Sequence, residues 1–193
     1  MPQDQDPDQA VLTGRADFAI VTDVNVAPDV HRLRLYPLER VVLMRRNHPM
    51  TRLRRALTAE DLAHWDRVSI QTGRISSWVG PDQELFSSER HMEHAKFSTS
   101  RFNLAWEAME KTDLIAVCGF RTAEIAMRQS ALTFMPLEKR PDEPQVWNAL
   151  IWSEVVHNDG ACICFRGLWA RWARQEAERM DQIRKTVGLP PVT

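Results

Sequence analysis

Phe97–Arg128 reads FSTSRFNLAWEAMEKTDLIAVCGFRTAEIAMR, and the order of its patterns sets the fold class. Phe97-Ser98-Thr99 has strand character, and Ser100 then stands as the cap of a helix. Phe102, Ala105, Trp106 and Met109 fall at i, i+3, i+4 and i+7, the spacing that gathers side chains on one helix face. Leu114-Ile115-Ala116-Val117-Cys118 is short and wholly apolar, as a strand buried on both faces requires. Gly119 ends it, and Thr122 caps a second helix through about Arg128. Strand, helix, strand and helix in succession indicate an α/β protein with a largely parallel sheet.

The flanks carry the same alternation. Residues 1–9 hold three Asp and two Pro with little to bury, so a disordered tail is expected through about residue 11. Gly14 stops what reads as the last turn of a helix. Strands are expected at Asp17–Val21, Val30–Leu35 (interrupted at Pro37), Arg40–Arg45, Arg67–Ile70, Thr133–Leu137 and Val146–Trp152. Thr58-Ala59-Glu60-Asp61 has the form of a capping box with Asp in place of Glu. A final helix runs from about Gly160 to Ile183, with Phe165, Leu168, Trp169 and Trp172 as its apolar stripe. Residues 184–193 form a closing tail.

Composition narrows the function classes. Hydrophobic residues make up 44% of the 193 and charged ones 26%, with a formal net charge of −1. That balance suits a soluble globular protein and gives nucleic acid or an anionic membrane no general attraction. No stretch is apolar and long enough to span a bilayer, and Met1–Asp8 lacks the regions of a signal peptide, so a cytoplasmic location is expected. Cys118, Cys162 and Cys164 are too few, and odd in number, for a disulfide framework. Cys162-Ile163-Cys164 near His157 has tight spacing and would need a fourth ligand from elsewhere, so free cysteines are the reading and no metal and no cofactor are expected. His157 and Asp159 have no Gly-x-Ser-x-Gly turn to go with them, so the reading is not that of an enzyme.

Several stretches resemble the effector-binding (substrate-binding) domain of LysR-type transcriptional regulators, in the branch of nodulation and aromatic-degradation activators. Leu12-Thr13-Gly14-Arg15-Ala16-Asp17-Phe18-Ala19-Ile20 resembles the family's L-x-x-G-x-x-D-hydrophobic-A-I. Val41–Met50, with His48-Pro49-Met50, resembles its strand followed by H-P-L, and Leu57–Leu62 its L-T-x-E-D-L. Thr112–Ala116 and Leu132–Leu137 are similar to a later strand and an L-x-x-L-P-L segment. Trp152–Arg166 resembles the closing W-H-x-R…D-P-A-x-x-W-L-R, with Ser153 where His is usual and Gly160 in place of Pro. Each motif is weak or moderate alone; their number and family order across residues 12–166 carry the resemblance.

The resemblance implies a periplasmic-binding-protein-like fold of two α/β lobes with crossover strands near 39–45 and 133–138. Residues 12–44 and 134–183 would form a first lobe lacking its opening strands, and 45–133 the second. A small carboxylate or aromatic effector would lie in the cleft. The family's DNA-binding domain, a winged helix-turn-helix, is not visible before residue 12, so DNA would be reached only through a part absent here. The resemblance also implies a homo-oligomer, and an incomplete first lobe would make an isolated monomer poorly soluble. A truncated gene product, a free-standing small-molecule-binding protein of the same fold, and a small hydrolase are the alternatives.

Ligands of open α/β sheets bind at strand ends. The binding candidates are therefore Gln71, Thr72 and Gly73, which otherwise form an ordinary turn, and Ser98, Thr99 and Ser100, whose helix N-terminus favours an anion. Ser100 is open to a purely capping role. Gly119 and Phe120 complete the set, Phe120 either stacking on an aromatic effector or packing in the core. The arginines at 45, 46, 52, 54 and 55 read as solvated charge, without aromatic partners for nucleic-acid bases.

Overall fold

A computed structural model of the chain describes residues 6–23, 26–70, 95–138 and 145–186. The chain divides into two compact units, Met1–Leu38 with Gln145–Thr193 and Glu39–Pro144. The sequence reading placed these divisions at 44/45 and 133/134. The strands at 40–45 and 132–136 group with the second unit because both belong to one sheet with the strand at 116–119.

In the first unit, β8 (Trp147–Ser153) lies between β1 (Ala19–Thr22) and β2 (Val30–Pro37), antiparallel to both. Ala149 through Ser153 are all buried. Leu150 and Trp152 join Leu35, Trp169 and Trp172 on the face covered by the long helix Gly160–Thr186. Ile151, between them, turns to the other face and meets Val11 and Val30. A central strand covered on both faces reads as continuously apolar, which is how this segment is written.

Val11 belongs to α1 (Pro7–Leu12), where the sequence reading expected a disordered tail. Asp6 caps this helix by accepting from the Asp8 N–H, and Pro7 sits at its first position, where a missing N–H costs nothing. Gly14, at φ 68°, ends the excursion in the left-handed region that only glycine enters freely. Pro37 also fails to interrupt β2 and is its last residue.

The second unit holds the sheet β6-β3-β7, with β3 (Arg40–Arg45) antiparallel to both β6 (Ala116–Gly119) and β7 (Leu132–Pro136). A parallel pair, β4 (Arg67–Ile70) and β5 (Ala95–Thr99), continues it where Arg67 bridges Ile115 in parallel. Among the described strands the largely parallel sheet expected from sequence is thus confined to β5, β4 and β6; the other strand pairs are antiparallel, with one isolated parallel bridge between Leu57 and Leu137. Val42, Met44, Met50, Leu57, Leu62 and Ile115 form this unit's core.

Thr58 and Asp61 make the expected capping box for the short helix α2 (Ala59–Leu62). Asp61 also accepts two bonds from Arg55, at 2.6 and 2.9 Å, and this guanidinium first, then the Thr58 amide, holds the carboxyl well below the usual carboxylate range. Thr58→Ala is expected to cost about 1 kcal/mol in urea unfolding by removing the cap.

Helices α3 (Phe102–Lys111) and α4 (Phe120–Gln129) follow β5 and β6. Ser100 does not cap α3: its N-cap is Arg101, whose N–H is taken by Thr99 Oγ1 at 3.1 Å. Thr122 does not cap α4, which begins two residues earlier with Gly119 as N-cap. The last helix, α5 (Gly160–Thr186), buries Ala173, Glu176 and Met180, with Trp169 and Trp172 packed beside them, whereas Phe165 and Leu168 of the expected stripe are exposed.

Candidate effector site

The strand directions of the second unit bring the predicted loops to one edge. Ile70, the last residue of β4, pairs with Thr99, the last of β5. On the other side, Val68 N–H donates to Ile115 O at 2.8 Å and Ile115 N–H to Asp66 O at 3.1 Å, the parallel pattern. β6 therefore advances in the same direction, and Gly119 ends at the same edge as Ile70 and Thr99. Three parallel strands thus finish together, as open α/β sheets do where they bind ligands.

Ser98 and Ser100 are exposed at this edge, and Thr99 is half-buried with its Oγ1 already accepting from Arg101 N–H. Gly119 is half-buried at the start of α4. Gln71, Thr72 and Gly73 lie outside the described residues. Among the described residues neither α3 nor α4 has a side-chain bond from its N-cap residue, and Phe120 N–H is taken by Glu39 O at 2.7 Å. The helices following β5 and β6 both start at this edge, on either side of β4, and a helix N-terminus favours a negative charge.

Phe120 takes the core role. It is 1% exposed and meets Phe134 edge-on at 5.3 Å between ring centroids, so its ring is not open for stacking on a ligand. Cys118, on the strand leading here, has its thiol pushed up to about 12 by burial and serves as a small apolar residue, not a nucleophile. The three cysteines are free.

A surface groove of about 480 Å³ opens at the opposite end of the same strands, lined by His64, Trp65, Asp66, Thr112, Asp113 and Leu114. Next to it His48 is fully buried. Its Nδ1 accepts from Met50 N–H and its Nε2 donates to Asp113 O, both at 3.2 Å, while Trp65 packs edge-on at 4.4 Å. The His-Pro motif is therefore structural: it pins the 3-10 turn Pro49–Leu53 to the strand edge. Arg67, also buried, has no partner for its Nε among the described residues, a feature the sequence did not single out.

Asp159 caps α5 by accepting from Cys162 N–H at 2.9 Å, and His157 Nδ1 accepts from the Trp152 indole. No hydroxyl nucleophile accompanies them among the described residues.

Residues 3–154 match the family model described as the LysR substrate binding domain. The chain belongs to this family. Domains of the LysR substrate-binding family are regulatory parts of transcription regulators, where they sense effectors. Solved structures with the same fold include a probable transcriptional regulator from Pseudomonas aeruginosa, with TM-score 0.65 and 20% identity over 86% of this chain and 53% of the other. The regulatory domain of MetR, a LysR family regulator from N. meningitidis, gives 0.64 and 14% over 93% of this chain and 78% of that domain. The regulatory domain of MexT, a transcriptional activator in Pseudomonas aeruginosa, gives 0.60 and 15% over 86% and 76%. This LysR domain thus spans about half the length of the first of these and most of the isolated regulatory domains. No curated protein matches it in sequence. Among the described residues, no helix is long and apolar enough to cross a membrane.

Proposed function

We propose that this LysR substrate-binding domain senses a small carboxylate, aliphatic or aromatic, bound at the common edge of β4, β5 and β6. The observation that carries the reading is the pair of helix N-termini without side-chain caps, those of α3 and α4, at the edge where Thr99 and Gly119 end their strands. A carboxylate there accepts from first-turn N–H groups and from the hydroxyls of Ser98 and Ser100, with Gln71, Thr72 and Gly73 following from β4. Phe120 acts by holding the start of α4, not by touching the ligand.

Within an intact regulator, occupancy would shift the population between two conformations and so change contacts made through a separate DNA-binding part. A homo-oligomer in the cytoplasm is the expected setting.

Melting the purified chain against a panel of aliphatic and aromatic carboxylates tests the reading. A ligand at about 100 times its Kd stabilises by about 2.7 kcal/mol, which gives a dose-dependent rise in Tm for one compound class. The Ser98→Ala/Ser100→Ala variant should keep the unliganded Tm and lose most of that rise. An unchanged rise in the variant would remove the two serines from the site.

A further inference from the structure

The effector reading leaves one side-chain cluster in the first unit unused. His31 lies near the start of β2, and Glu154 and His157 sit in the turn after β8. Because β2 and β8 run antiparallel with His31 opposite Trp152, the sheet register carries residue 31 to that turn. His31 Nε2 and Glu154 Oε2 are 2.5 Å apart, and the His31 and His157 rings stack at 4.0 Å. One ligand atom from each of His31, Glu154 and His157 lies within 4.8 Å of the other two. Trp152 runs alongside, its ring stacked at 5.7 Å from His31 and 6.2 Å from His157.

We propose that His31, Glu154 and His157 bind a divalent first-row metal ion, with Zn²⁺ the best fit. Two imidazoles and one carboxylate are a borderline-soft nitrogen and oxygen set that suits zinc, and three protein ligands leave a fourth position for water or a small anion. Bonds of about 2.0–2.2 Å require ligand atoms roughly 3.3 Å apart around a tetrahedral ion. The cluster closes to that spacing by small side-chain rotations, since the Glu154 side chain is 74% exposed and that of His31 36%. The ion takes the place of the proton between His31 and Glu154.

At His157, Nδ1 accepts from the Trp152 indole N–H at 3.2 Å, which leaves the neutral ring's proton on Nε2. Ligation through Nδ1 displaces the indole N–H, and ligation through Nε2 moves the ring proton to Nδ1. Both release the indole from its hydrogen bond, so metal binding reports in Trp152 emission. Arg166, 4.8 Å over the Trp152 ring and donating to His157 O at 2.7 Å, is an opposing charge beside the cluster. The ion would clip the start of β2 to the turn that opens α5. Nothing in the sequence pattern shows this: His31 and Glu154 are 123 residues apart, and the sequence reading expected no metal ligands.

The test uses the full chain without an affinity tag, titrated with Zn²⁺ by calorimetry and with Co²⁺ by visible absorption. One equivalent should bind, and His31→Ala and His157→Ala should each weaken binding by about tenfold or more. The conservative, surface-exposed Glu154→Gln should weaken it with the fold intact by circular dichroism. Cys162→Ser/Cys164→Ser should bind as the parent does, and Trp152→Phe should lose the emission change. No saturable binding by the parent chain, or equal binding by a folded His31→Ala/His157→Ala variant, would overturn the proposal. The effector reading stands apart from this result, since no residue is shared.

Discussion

Phe120→Ala is expected to lower the unfolding free energy of the unliganded chain by about 3–5 kcal/mol, the cost of truncating a buried aromatic. The ring is 1% exposed, its edge contact with Phe134 ties α4 to β7, and the N–H of the same residue is held by Glu39 O. Removing it leaves a cavity under the first turn of α4, so the sheet edge itself should loosen. Phe120→Leu keeps much of the volume and should lose less. Urea unfolding without ligand gives the answer. A residue whose ring served only to stack on an effector would show no loss there.

His48→Ala should cost about 2–4 kcal/mol, the sum of a small cavity and of a buried Met50 N–H and a part-buried Asp113 O left without this partner. Its pH dependence is equally specific. Burial is the largest influence on the ring and pulls its pKa below the ordinary 6.5, against the Asp113 hydrogen bond and charge. Near pH 6 the unfolded chain therefore binds more protons than the folded one, and stability rises with pH. His48 should contribute fully above pH 6.5, and its contribution should fall as pH drops from there through the lower folded value. His48→Gln, which keeps an amide donor and takes no proton, should flatten that part of a Tm-against-pH curve. An unchanged slope in the variant would place the titration elsewhere.

Most strands were legible in the sequence because their burial is written into it. Arg40–Arg45 has the expected bounds, and Leu114–Cys118 and Val146–Trp152 shift by only a residue or two. Their directions were not legible. An apolar run carries no sign of parallel or antiparallel pairing, and only the register of β8 with β1 and β2 shows that the first unit's sheet is antiparallel.

Caps failed where several residues compete for one role. Ser98-Thr99-Ser100 offers three hydroxyls, yet none caps α3: the helix starts after Arg101, and Thr99 Oγ1 takes only the Arg101 N–H. The Asp61 box, with one hydroxyl at the required spacing, was read correctly. The site followed the same division. Loops at the ends of β5 and β6 came from chain order, whereas the burial of Phe120 depended on Phe134, fourteen residues away in sequence and across the sheet. His31 with Glu154 and His157 lay beyond pattern altogether, because long-range strand register brings them together.

The most direct test of the central claim is a ¹H–¹⁵N spectrum of the chain titrated with whichever carboxylate raises its Tm. Binding at the common strand edge predicts that the largest shifts fall on the amides of Ser98 to Arg101, Gly119 and Gln71 to Gly73. Shifts concentrated instead on His64, Asp66, Thr112 and Asp113 would put the ligand in the groove at the opposite end of the strands and contradict the account.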